Sequence, residues 1–218
     1  MTGINELWIH GSEADWKYAL NKYYEQPSAI ANEPLEKKME ALDPESVKRM
    51  SGQEFYRFLY DDYFVWKYTA KNRLATCRKS LRKYEDEKDW ERLEYIKRSI
   101  FKHYECDPID TELLLEDAKK INGLGIAGAS GLLSILFPNK YGTVDQFVVD
   151  ALCKIDDLTS EQRQKLILAE KRKESLKTED GVFLIGLLRV NSNALNKQFG
   201  TNFWTPRKID MVLWTYGH

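Results

Sequence analysis

Residues 121–152 read INGLGIAGASGLLSILFPNKYGTVDQFVVDAL. The glycines at 123, 125 and 128 match the spacing of a dinucleotide-binding loop, but that fingerprint needs a buried strand running into its first glycine. Here the preceding residues are LLLEDAKKIN, a charged amphipathic helix, and no βαβ unit surrounds them. A dinucleotide cofactor is therefore not expected. The pattern that fits is a helix, a short hairpin Asn122-Gly123-Leu124-Gly125, and a second helix starting near Ala127. Glycine permits positive φ in such a turn. It also lets a phosphate approach the backbone N–H groups at the next helix N-terminus, where the dipole favours an anion. Leu124 is then the apolar anchor. An ordinary tight connection between core helices, with small Ala129, Ser130 and Gly131 permitting close packing, accounts for the same residues equally well.

Helical spacing extends outward in both directions. Ser12 precedes EADWKYALNKYY, Asp43-Pro44 reads as a cap with proline in the first turn, and Ser51-Gly-Gln-Glu54 is a capping box. That box opens the pattern FYRFLYDDYFVWKYTAKNRLATCRKSLRKY, read as one long helix. Further helices fit EKDWERLEYIKRSIFKHY, Thr111 to Ile121, GASGLLSILF, VDQFVVDALCKI, SEQRQKLILAEKRKES after Thr159, GVFLIGLLRVNSNALNKQF, and Pro206 to Trp214 after Thr205. Period-two alternation is missing. The predicted fold is an all-α helical bundle. Proline interrupts the pattern at 26–35 and 105–110, which divides the chain into regions 1–107 and 108–218, read as one unit with two helical lobes.

The chain has 218 residues and a formal net charge of −1. No apolar run reaches the 18 or so residues of a membrane span, and the start MTGINELWIHGSEADW lacks the basic and apolar segments of a signal peptide. A cytoplasmic protein is expected. Cys77, Cys106 and Cys153 are odd in number and far apart, as are His10, His103 and His218, so neither a disulfide framework nor a metal site is expected. The near-zero charge conceals segregation. Residues 66–104 carry 12 Lys/Arg against 6 Asp/Glu, and residues 159–218 carry 10 against 6. Such segments can offer a positive face to a polyanion, or can be solvated helix stripes.

The hairpin, the apolar helix after it and the Val144-Asp145-Gln146-Phe147-Val148 segment together resemble the helix-hairpin-helix (HhH-GPD) DNA glycosylase superfamily, as a divergent member similar to 8-oxoguanine-glycosylase-like proteins. Over about 32 residues the match is close. It implies duplex DNA as partner and the hairpin residues Asn122, Gly123, Leu124, Gly125 and Ala127 as the DNA-backbone clamp. It implies Asp145 as the essential carboxylate of a DNA-repair hydrolase. It also admits a monovalent cation at the hairpin and implies no other cofactor. Two positions depart from the pattern: Asn122 replaces a hairpin proline, and Ala127 stands where bifunctional members carry a Schiff-base lysine. Hydrolysis alone is then expected, unless another lysine such as Lys140 reaches the site.

The chemistry suits a lone carboxylate. Breaking an N-glycosidic bond builds positive charge on the sugar, and a carboxylate beside it stabilises that charge and directs water. In this reading Thr143 caps the helix that Asp145 begins. A flipped base also needs flat or apolar walls. Candidates are Tyr141, Gln146, Trp66 and Trp204, with Phe147 and Trp214 behind them, although aromatics at helical spacing are commonly core. Arg78, Arg82, Arg207 and Lys208 are candidate phosphate contacts. Two other readings remain open: a non-catalytic helix-hairpin-helix DNA-binding or interaction module, and a helical interaction protein with no role on nucleic acid.

Overall fold

The computed structural model describes residues 3–218. It is all-helical, with no strand among the described residues. The first seven helices are α1 (Ile4–His10), α2 (Glu13–Tyr24), α3 (Pro27–Ala31), α4 (Glu33–Glu40), α5 (Pro44–Arg49), α6 (Gly52–Arg57) and α7 (Phe64–Lys67). A π-helical stretch, Phe58–Tyr63, joins the last two. Then come α8 (Lys71–Leu81), α9 (Lys83–Asp86), α10 (Trp90–Tyr104), α11 (Thr111–Lys119), α12 (Ile126–Leu136), α13 (Gln146–Leu152), α14 (Ser160–Lys171), α15 (Thr178–Phe199) and α16 (Pro206–Gly217).

The caps read from the sequence are in place. Capping boxes at Ser12, Ser51 and Thr159 satisfy the first N–H groups of α2, α6 and α14. Asp43 and Thr205 cap α5 and α16 ahead of a first-turn proline. Three readings need correction. The pattern opened by Ser51 is not one helix: it passes through the π turn and breaks at Tyr68–Ala70 before α8 begins. Proline in 26–35 does not make a linker, because Pro27 and Pro34 occupy the first turns of α3 and α4. Helix α1 precedes the first helix read from the pattern.

Helix α12 is the centre of the molecule. Every residue in it except Ala127 is buried, as expected for a helix apolar on all sides. Helix α11 packs on it, with α10 and then α6 beyond; α15 packs against both α11 and α12, and α16, which also touches α12, holds α2 and α13. Residues from both sides of position 107, such as Trp16, Phe55 and Ile100 with Leu132, Leu188 and Val212, belong to one hydrophobic cluster. Each fully buried Leu or Ile contributes about 1.5–3 kcal/mol relative to exposure. A cationic group is buried with them. Lys97 of α10 is 2% exposed, and its ammonium donates to the carbonyls of Lys48 and Met50 at the open end of α5. Burial lowers its pKa. Lys97→Ala leaves both carbonyls without their donor, and a loss of about 2 kcal/mol is expected in a urea titration.

Candidate functional site

The turn between α11 and α12 contains Gly123 at φ 94°. A side chain there would be strained, and a Cβ would also lie 2.7 Å from the carbonyl oxygen of Cys77. Leu124 is buried beneath the turn, whereas Gly125 is exposed and open above its backbone. The Asn122 amide N–H donates to the Tyr84 hydroxyl, which ties the turn to α9.

Asp145 is brought to the surface of the core by a loop fastened at the two residues before it. The Val144 N–H donates to Ser130 Oγ on α12 at 3.0 Å, and the Thr143 N–H donates to Asp210 Oδ2 on α16 at 2.6 Å. Thr143 therefore does not cap α13. Asp145 caps it, accepting from the N–H groups of Phe147 at 3.1 Å and Val148 at 3.4 Å through Oδ1. Its other oxygen, Oδ2, is left facing the site.

That oxygen meets Lys67 Nζ at 3.1 Å, with the two side chains only 11% and 14% exposed. Lys67 is the last residue of α7, and no sequence motif marks it. Its path depends on Gly131: a Cβ there would lie 3.2 Å from Lys67 Cδ and 2.8 Å from the Tyr63 hydroxyl, which donates to the carbonyl of Gly128. Ala127 faces the same recess as Asp145 but offers only a methyl group. Lys140, by contrast, is exposed and lines neither recess beside Asp145, so the lysine at this site is not the loop lysine suggested by sequence distance.

The Lys67–Asp145 pair stands between two recesses. The first, about 150 Å³, has aromatic walls formed by Trp66, Tyr23, Phe147 and Trp214, with Asn32, Glu36 and Arg207 as polar groups. Phe147 and Trp214 meet edge to face at 5.7 Å, and the His218 ring rests 4.5 Å from Trp214. Below them lies a buried network. Arg207 donates to Glu36 Oε1 at 3.0 Å and to Asp210 Oδ1 at 2.7 Å, while Trp66 Nε1 donates to Glu36 Oε2 at 2.6 Å. Burial raises the Tyr23 phenol pKa, so it stays neutral. The second recess is open and includes Ala127, Gln146, Arg73 and Lys173.

The structure thus separates the candidate residues. Trp66 lines the aromatic recess and Gln146 the open one. Tyr141 is wholly buried, stacked beneath Arg189 with the cation 4.7 Å from its ring, and lines neither recess. Trp204 is 2% exposed and packed edge to face on Trp16 at 5.7 Å, so it is a core residue. Arg207 is paired with two carboxylates and its side chain is 13% exposed, so it is a pocket-floor group and not a surface phosphate contact. Lys208 turns its ammonium to the Phe203 carbonyl and ring, away from Asp145. Arg78 and Arg82 are held on Tyr60 and line neither recess. The basic side chains beside Asp145 are Lys67, Arg73 and Lys173. No group of three or more His, Cys, Asp or Glu suited to a metal occurs among the described residues, and no described helix is long and apolar enough to cross a membrane.

Burial pushes the Asp210 carboxyl up to about 7 from its ordinary 3.8; Arg207 and the Thr143 N–H oppose the shift, and the charge of Asp145 adds to it. The fold therefore binds this proton more tightly than the unfolded chain does. Stability carried by this group is greatest below pH 3.8, falls as pH rises toward 7, and is level above. The difference in unfolding free energy between wild type and Asp210→Asn should fall between pH 5 and 7 by up to about 1.4 kcal/mol per pH unit. Gly131→Ala tests the passage of Lys67: a loss of about 1–3 kcal/mol is expected. A crystal structure of the variant should place Nζ beyond about 4 Å from Asp145.

No protein-family model matches the chain, and comparison with curated proteins and with solved structures likewise finds no match.

Proposed function

We propose that this chain removes a damaged or modified base from duplex DNA by hydrolysing its N-glycosidic bond, with Asp145 as the acting carboxylate. The observation that carries the reading is the placement of one little-exposed carboxylate oxygen at the rim of an aromatic recess, directly after a glycine turn and its helix. A base turned out of the stack is accepted between Trp66 and the Phe147–Trp214 wall, where π faces replace the neighbouring bases it has lost. Its sugar then stands over Asp145 Oδ2, which offsets positive charge on C1′ as the bond to the base breaks and orients the attacking water.

The remaining parts suit a duplex lying over the open recess. The exposed backbone at Gly125 and the first N–H groups of α12, which no side chain caps among the described residues, suit a phosphate. Arg73 and Lys173 flank the same opening. Such contacts position the backbone and read no bases. At the floor, Glu36, Arg207 and Asn32 are the groups able to discriminate by hydrogen bonding.

The test is release of free base from duplexes carrying oxidised, deaminated or alkylated bases, with abasic sites developed by alkali. Wild type is expected to release base from one lesion class. Asp145→Asn should lower the rate by about 100-fold or more while leaving salt-dependent DNA affinity in place. Binding with no release from any duplex would instead identify a non-catalytic hairpin module. The absence of both would remove DNA from the account.

A further inference from the structure

We propose that Asn32 reads the base in the aromatic recess, and that the class it accepts is a deaminated base, whose edge offers an N–H beside a C=O. The proposal rests on the reading above of that recess as the place of the everted base. Its own support is a side chain that the local fold leaves unused. Asn32 is the residue shared by α3 and α4. Its N–H donates to the carbonyls of Ser28 and Ala29 at the end of α3, and its carbonyl accepts from the Glu36 N–H at the start of α4. An asparagine in this position ordinarily turns its side chain back onto the second or third N–H of the helix it opens. Here Pro34 removes the second N–H, and the Asn32 carboxamide makes no cap hydrogen bond to either helix. It lines the recess instead.

The charged groups at the floor are already held. Glu36 accepts from Arg207, Tyr23 and Trp66, and Asp210 accepts from Arg207 and from the Thr143 N–H. Ser28 lines the same recess, but a hydroxyl rotates to suit either a donor or an acceptor and selects neither. A carboxamide presents one acceptor and one pair of donor hydrogens side by side. Its complement is a lactam edge, with the ring N–H donating to Asn32 Oδ1 and the ring carbonyl accepting from Nδ2. Uracil and hypoxanthine carry that edge, whereas alkylation of the ring nitrogen removes its N–H. Undamaged guanine and thymine carry it too, and adenine and cytosine carry it in reverse order, but all four are held in matched pairs. Turning a base out of the stack costs least when it is mispaired, as a deaminated base is. Trp66 and the Phe147–Trp214 wall then supply stacking, which is indifferent to the edge.

The experiment uses the full chain and a duplex with one uracil opposite guanine, on a 2′-fluoro sugar that resists hydrolysis, so that binding is read apart from the chemistry at Asp145. A matched duplex carries 3-methyluracil, which keeps both carbonyls and loses the N–H between them. Fluorescence anisotropy at one fixed salt concentration is expected to give wild type about 30-fold tighter binding to the uracil duplex. Hypoxanthine should be preferred over 1-methylhypoxanthine in the same way. In Asn32→Ala the preference should fall to about twofold or less. Because the side chain caps no helix, the urea midpoint of this variant should match wild type, which keeps lost reading apart from lost folding. Equal wild-type affinity for methylated and unmethylated duplexes, no measurable affinity for either, or a preference that survives in Asn32→Ala would overturn the proposal. Base release from cleavable lesion duplexes is judged separately. Release that is unchanged in Asn32→Ala overturns this inference and leaves the role of Asp145 standing, and a uracil preference with no release does the reverse.

Discussion

The seating of the Tyr63, Lys67 and Tyr68 side chains on the glycines of α12 is the contact on which the site depends. Side chains in place of those glycines would hold all three away. At Gly128 a Cβ would lie 2.4 Å from the Tyr68 hydroxyl, and at Gly131 it would lie 2.8 Å from that of Tyr63. With hydrogen in both places the aromatic segment settles on the α12 backbone, and the Tyr63 hydroxyl bonds the Gly128 carbonyl. Glycine within a helix costs about 1 kcal/mol relative to alanine. Here that cost is set against burial of Tyr63 and Phe64, each worth more than the penalty.

The π turn gives the contact its chemical consequence. An added residue per turn rotates all that follows around the helix axis, so Trp66 and Lys67 arrive together at the rim beside Asp145. Trp66 forms a wall and donates to Glu36, while Lys67 meets the carboxylate. Asp145 is fixed from the other direction, by Ser130 and Asp210 gripping the two residues before it. The site is therefore assembled from α7, α12, α13 and α16, and a shift in any one of them moves the Lys67–Asp145 pair.

Beneath the aromatic recess, the Glu36–Arg207–Asp210 network joins the first forty residues to the last helix. Removing one member of such a buried set leaves a charge without its partner, which costs more than the pair itself contributes. This explains why the N-terminal hundred residues cannot be read as an appendage to the hairpin region. They supply Tyr23, Asn32, Glu36, Trp66 and Lys67 to the recess around Asp145.

Helical periodicity, caps and turn glycines are local properties, and they determined much of this protein: the all-helical class, the starts of α2, α5, α6, α14 and α16, the turn at Gly123, and the prominence of Asp145. What a local pattern does not contain is direction in space. Tyr141 is four residues from Asp145 yet is sealed in the core, and Arg207 looks like a surface cation but lies under the recess between two carboxylates. Lys67 is 78 residues from Asp145 and becomes its neighbour only because the π turn alters the register and Gly131 leaves room. Residue type and spacing determined the helical class and the capped helix starts; the tertiary structure decided which side chains share a site, because that depends on how elements distant in sequence pack against one another.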